Sequence, residues 1–281
     1  DSGMIRIYDA MSHQIVDSLD LSIPSGPTES RTYGPECDYT KIPYDYTRTH
    51  MPTNRDTRPG TPSGTAEPTP PDYQLNIIGG FTDAFHFHPI IVRDSTATIY
   101  LHNNMLDYNH SYYVTIDEGV LTLPDHSFHG ISKEHNWSFK TKDSAPASTD
   151  TLIVDANGQG DFNTVQGALD FIPDFSQKQT VILIQAGDYE ELVYARNKTN
   201  VKIKGAGMDR TRVHYANNEV FNPHPLTVKT NEWPGTFPSR RAAFMLDNCS
   251  DILLEDLTIA TDLHGQAEGL LLNGERIALY S

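Results

Sequence analysis

Few residues in this chain stand in patterns that a reaction would need. His86 and His88 alternate with Phe85 and Phe87, which on a strand places both imidazoles on one face. Two such ligands are half of a metal site, and a solvated strand face is the commoner use of the pattern. His264 precedes Gln266 by two residues and is a candidate for lining a cleft. The sequence has no Gly-x-Ser-x-Gly elbow, no zinc-ligand spacing among its Cys and His residues, and no EF-hand loop. Its two cysteines, Cys37 and Cys249, are too far apart to imply a disulfide framework. Sequons at Asn109, Asn136, Asn197 and Asn248 matter only in a host that glycosylates.

Such residues must be held by elements, and the pattern predicts mostly strands. Ile5–Tyr8 and Ile15–Leu19 alternate about a turn at Ala10–His13, which predicts a hairpin. A sandwich rarely opens on its middle hairpin, so further strands are expected upstream of Asp1. From about 23 to 73 the pattern dissolves into a stretch holding ten of the eighteen prolines. Its tyrosines (Tyr33, Tyr39, Tyr44, Tyr46) suggest that parts of it pack against something. Strands are expected again at Leu75–Ile78, Phe85–Val92, Ala97–Leu101, Tyr112–Ile116 and Trp137–Thr141. Short strands at that spacing predict a β-sandwich over residues 1–145. The turn-rich stretch Lys142–Asp150 reads as a linker.

After Thr151 the character changes. Leu152–Val154 predicts a strand, and Val165, Ala168, Leu169 and Ile172 predict one short helix within 162–172, with Asp161 as its cap. Short strands follow at 181–184, 201–203, 212–214, 244–246, 252–254, 257–259, 270–272 and 277–279. Met245–Leu254 repeats in Leu270–Leu279 at an offset of 25 residues, each copy an apolar strand, an Asn, a polar turn and a second apolar strand. A period of that size marks a solenoid, and short strands with one Asn per turn favour a parallel β-helix over 150–281. A stacked Asn there can satisfy its amide against the coils above and below.

At this point the sequence resembles a known family. Val154–Phe162 with Thr164-Val165-Gln166 and Ala168 is similar to the entry segment of pectin methylesterases. Gly187-Asp188-Tyr189-Glu190-Glu191 resembles their G-x-Y-x-E, and Gly205–Thr211 their G-x-G-x-x-x-T. Gly235-Thr236-Phe237 with Ser239 resembles their T-F-x-S loop, Asp256–Ile259 their N-[IL]-T-[IF], and Gln266–Leu270 their Q-A-V-A-L. Six motifs in the family's order are specific where each alone is weak. Upstream, Tyr112–Thr141 resembles the end of bacterial Ig-like domains of surface and secreted enzymes, which serve as spacers or weak carbohydrate binders. The implied fold class is all-β: an Ig-like sandwich, then the first coils of a right-handed parallel β-helix.

The resemblance implies roles. A carboxylate nucleophile attacking an ester forms a tetrahedral oxyanion, and a side-chain amide can donate hydrogen bonds to it. Gln266 is implied as that catalytic donor, Thr236 as a substrate contact and Phe237 as an aromatic packed on the sugar ring. Two have a plain alternative: a polar residue at a coil turn for Gln266, a cover of the core for Phe237. The family's two working carboxylates, one an Asp nucleophile, and their Arg lie in motifs expected beyond Ser281. Asp256, Asp262 and Glu268 stand in none of these motifs. Glu268 replaces a small apolar residue and is expected to face solvent.

The net charge of −16 argues against nucleic acid. It also disfavours de-esterified pectate unless calcium bridges the two, and it imposes no penalty on methyl-esterified homogalacturonan, the implied partner. No metal or cofactor is implied. No apolar run is long enough to span a membrane. The expected protein is a secreted, periplasmic or cell-surface monomer of bacterial type, its leader absent from the sequence. A pectate lyase on the same β-helix is the alternative, needing calcium held by clustered Asp residues that the sequence does not show. A non-catalytic polysaccharide-binding fragment is a third.

Overall fold

The computed structural model describes residues 2–26, 73–81, 84–122, 128–135, 137–222, 239–263 and 265–281. Most of the Pro-rich stretch, Asn136, Thr236, Phe237 and His264 lie outside these residues. Two compact units emerge. Within the described residues, the first holds 2–26, 73–76 and 86–145, and the second holds 77–85 and 146–281.

The alternation expected at the start of the chain forms β1 (Met4–Asp9) and β2 (Ile15–Asp20), an antiparallel hairpin with Ile5, Ile7 and Leu19 inward. Between them His13 takes φ +57°, and the Asp9 carboxylate caps the turn through the Met11 and Ser12 amides. Short strands β3 (Leu75–Asn76), β4 (Phe85–His86), β5 (Ile90–Arg93) and β6 (Thr96–Ile99) follow, β5 and β6 pairing antiparallel. Then β7 (Ser111–Ile116) pairs with β1 and with β8 (Ser138–Lys140), giving an antiparallel sheet β2-β1-β7-β8. Its inner face joins Ile5, Ile7, Leu19, Phe87, Tyr112, Val114 and Ile116 in one core.

The single strand expected over Phe85–Val92 is broken. Phe85, His86 and Phe87 are all buried, and the ladder stops before Pro89, which has no N–H to give. His86 and His88 therefore do not share a solvated strand face. His88 is largely enclosed, and burial lowers its pKa below the usual imidazole range.

Among the described residues of 146–281 every ladder is parallel. The strands are β9 (Thr151–Val154), β10 (Thr180–Ile184), β11 (Gly187–Glu190), β12 (Val193–Arg196), β13 (Thr199–Lys204), β14 (Thr211–Tyr215), β15 (Ala242–Glu255), β16 (Thr258–Thr261) and β17 (Glu268–Tyr280). One sheet runs β12-β15-β13-β10-β9 with β17 added on β15, and a second runs β11-β14-β16. Successive strands of each sheet come from successive turns of the chain, so the unit is a stack of coils. Leu152, Ile182, Ile203, Leu246, Ile252 and Leu254 point into one continuous core. β11 and β12 were not foreseen as strands. In β11 the buried Tyr189 is flanked by Asp188 and Glu190, which the stacking places outward.

The 25-residue repeat is real but slips once. Cys249, Ser250 and Ile252 pair with Gly274, Glu275 and Ile277, an offset of 25, whereas Phe244–Asp247 pair with Leu270–Asn273 at 26. The register shifts at Asn248, which adopts φ +54° and is extruded from the ladder. Gly274 closes the slip, because a Cβ there would lie 1.9 Å from the Cys249 carbonyl oxygen. Asn248 thus stacks not on Asn273 but on Asn197, whose Oδ1 accepts its amide at 2.8 Å, while Asn273 donates to Asp247.

One helix, α1 (Val165–Phe171), covers the entry to the stack. Its cap is Thr164, whose hydroxyl accepts from Gly167 N, and not Asp161. Asp161 is taken by the Ile153 amide at 2.8 Å.

Residues 77–85 dock on the coils. Gly79 lies so close to β12 that a Cβ would sit 1.8 Å from the Tyr194 carbonyl oxygen, and its own carbonyl accepts from Arg196 N. Phe81 packs edge-on to Phe85 and Tyr194, with the Arg196 guanidinium 3.6 Å and the Arg240 guanidinium 4.6 Å from its ring centroid. Both cations lose part of their hydration here, where such contacts are strongest. Phe81→Ala is expected to cost about 3 kcal/mol. The check is amide hydrogen exchange, with protection falling in β12 and β15 and unchanged in β1 and β7.

Candidate active site

The family-like motifs fall on the joints of the coil stack. Tyr189 is buried and its hydroxyl donates to Gln185 O at 3.0 Å. The Glu191 carboxylate, 6% exposed, accepts from the Val165 and Gln166 amides at 2.7 and 2.9 Å and so closes the N-terminus of α1. Gln166 reaches back to β12, accepting from Tyr194 N and donating to Tyr194 O. Thr211 accepts from Ala206 N and donates to Gln185 O, tying one coil's turn to the coil before it. These positions explain why the motifs need Tyr, Glu, Gln and Thr: each is a buried polar group with matched partners.

Gln266 lies in the turn between β16 and β17, at the head of the next coil. Its side chain is exposed, and its carbonyl accepts from Glu219 N at 2.9 Å. The turn is held by a web of buried amides not singled out among the candidate residues. Asn217 donates to the carbonyls of Arg240 and Ala242 at 2.7 Å each, accepts from Asn222, and its own carbonyl takes the Thr261 hydroxyl. Asn218 caps the Val220 and Phe221 amides. The only local signal was the density of Asn in 217–222.

Asp256, Asp262 and Glu268, the carboxylates weighed in the sequence, are all paired with cations. Asp256 meets Lys204 at 2.9 Å, and Asp262 meets Arg212 at 2.7 Å. Glu268 does not simply face solvent: Arg241 donates to its Oε1 from Nε and Nη2 at 2.8 and 2.6 Å, and Arg241 also approaches Glu219 at 3.7 Å. Burial lowers the Arg241 pKa, and its carboxylate partners more than restore it. Thr236, Phe237 and His264 lie outside the described residues.

Residues 151–253 match the family model described as Pectinesterase. This segment is similar to the pectinesterase family. Among curated pectinesterases, Probable pectinesterase 8 of Arabidopsis thaliana is 30% identical over 141 residues, covering 49% of this chain and 34% of the relative. A pectinesterase/pectinesterase inhibitor of Ficus pumila var. awkeotsang is 39% identical over 70 residues, covering 25% of this chain and 13% of the relative. The chain thus spans about a third or less of these pectinesterases. A solved pectin methylesterase from carrot aligns with a TM-score of 0.37 at 24% identity, over 49% of this chain and 40% of that one.

Glu191 makes the coil scaffold sensitive to pH. Burial pushes its carboxyl up from 4.5 to about 7, against the two amides that favour the ionised form. Because the folded value is the higher, the protonated group adds stability below about pH 4.5, and that stability is lost as pH rises through about 7. The swing is up to about 3 kcal/mol. Glu191→Gln should remove this component of the unfolding free energy between pH 4.5 and 7 while lowering stability overall, measured by denaturant unfolding across that range.

Proposed function

We propose that the second unit opens the right-handed parallel β-helix of a pectin methylesterase, and that Gln266 is its oxyanion donor. The observation that carries this reading is the pectinesterase match of residues 151–253, with Gln266 following at the head of the next coil. In the reaction a carboxylate, an Asp, attacks the methyl ester carbonyl of a galacturonate unit. The Gln266 amide N–H donates to the oxygen that gains charge, methanol leaves with a proton, and water then releases the uronate. The held backbone and exposed side chain of Gln266 suit that task, since the donor must be fixed before charge develops. Thr236 and Phe237 are proposed to contact the sugar.

The attacking Asp, the acid/base carboxylate and their Arg are proposed to lie on a coil stacked on β17. That strand pairs along one edge with β15, and Leu270, Leu272 and Ile277 are only partly buried, as expected of a coil awaiting a neighbour. The first unit, residues 1–145 apart from the segment docked on the coils, is read as an Ig-like spacer carrying the enzyme outside the cell. Methyl-esterified homogalacturonan is the proposed substrate, the protein a monomer. No helix of the described residues is long and apolar enough to cross a membrane.

Methanol release from esterified pectin tests this. The 281-residue chain alone should release none. A polypeptide extended through the following coils should release methanol, and Gln266→Ala should lower its kcat by about 10²–10³-fold. Methanol released by the 281 residues alone would overturn the placement of the carboxylates. An unsaturated, ultraviolet-absorbing product from the longer chain would make it a lyase.

A further inference from the structure

A column of charged residues on the β11-β14-β16 sheet is used neither by the core nor by the proposed reaction. Three coils contribute to it: Asp188 and Glu190 from β11, Arg212 and His214 from β14, and Asp262 just after β16. His214 is 3% exposed, yet both of its ring nitrogens face carboxylates. Nδ1 contacts Asp262 Oδ2, and Nε2 lies 3.1 Å from Asp188 Oδ1. The second contact is a pairing of charge and lies off the axis of a good hydrogen bond. A neutral imidazole carries one N–H, so one of its nitrogens must turn a lone pair toward an oxygen anion. Asp188 and Asp262 both meet the Arg212 guanidinium, at 3.5 and 2.7 Å.

We propose that Glu190, His214 and Asp262 form a site for a divalent transition-metal ion of the Zn²⁺ class. Their ligand atoms all lie within 4.8 Å of one another, and one imidazole with two carboxylates is a donor set such ions accept. The surrounding residues are arranged as an outer shell. Metal-bound histidines turn their second nitrogen to a carboxylate, and metal-bound carboxylates are themselves held by donors. Asp188 stands at His214 Nε2, and Arg212 holds Asp262 through Oδ1 at 2.7 Å, leaving His214 Nδ1 and Asp262 Oδ2 toward each other. An ion between them would be met by an imidazole nitrogen and two carboxylates. Asp262 lies beyond the last residue of β16 with its side chain 24% exposed, which makes its carboxylate the ligand with room to adjust around an ion. The site joins three coils, so its function is to pin the stack, with Asp262 at the start of the turn that carries Gln266.

The test is calorimetric titration of the chelator-treated chain with Zn²⁺ at neutral pH, with Co²⁺ absorption as a second readout. One equivalent should bind. Glu190→Gln and Asp262→Asn, which keep side-chain volume, should each weaken binding at least tenfold, and Asp188→Asn by about 10–100-fold through the histidine. The Co²⁺ absorption of the intact chain should be lost in Glu190→Gln. Hydrogen exchange in β14 confirms that each variant is folded. Absence of binding, or equal affinity in the intact chain and the folded variants, overturns the proposal. So does a stability that depends on His214 and pH but not on Zn²⁺, which would assign the pocket to an imidazolium ion.

Discussion

Backbone pairing between successive coils is the constraint on which the second unit rests. A strand such as β15 has its amides and carbonyls satisfied by β13 and β12 on one side and by β17 on the other. None of these groups could be buried without the neighbouring coil. Register is therefore shared by the whole stack. Where one residue too many enters, at Asn248, it is thrust into a left-handed conformation and the next coil must carry a glycine beneath Cys249. The left-handed corners recur in register, with Asn200 beside Asp251 in one pair of coils and Arg276 one coil further on, its guanidinium forked on the Asp251 carboxylate. Such corners cost backbone energy, and among residues with a Cβ, asparagine and aspartate meet that cost best.

Buried polar groups then decide where the stack begins and where its turns lie. Glu191 and Gln166 fix α1 against β12, and Asp247, fully buried, is held by Arg196 and by Asn273 of the next coil. Breaking such a group leaves an unpaired charge or amide in the core, which is costlier than losing a surface contact. The turn bearing Gln266 inherits its position from the same source, through Asn217 and the Glu219 amide. Function enters on an exposed side chain whose backbone is held by buried amides.

Much of this was legible in the residues. The β1–β2 hairpin followed from alternation, the coil period from the two Asn-containing repeats, and the family from six ordered motifs. What was missed follows a physical pattern. Outward charges in β11 hid the strand, because stacking rather than alternation of apolar residues specifies it. Asp161 looked like a helix cap, but Thr164 stood nearer the first turn and Ile153 claimed the carboxylate. Glu268 looked solvated because its partner, Arg241, is 27 residues away in sequence and adjacent only after the coils stack. Likewise, nothing local marks 77–85 as part of the second unit. Its Gly79 and Phe81 acquire meaning only against Tyr194, Arg196 and Arg240.

The register of β15 against β17 is the most direct measure of the account, since every placement downstream of Asn248 depends on it. Nuclear Overhauser contacts between the two strands in solution would report it. The account predicts contacts pairing Asp247 with Asn273 and Cys249 with Gly274, with Asn248 extruded and near Asn197. Uniform pairing that sets Asn248 opposite Asn273, or antiparallel contacts between the strands, would contradict it.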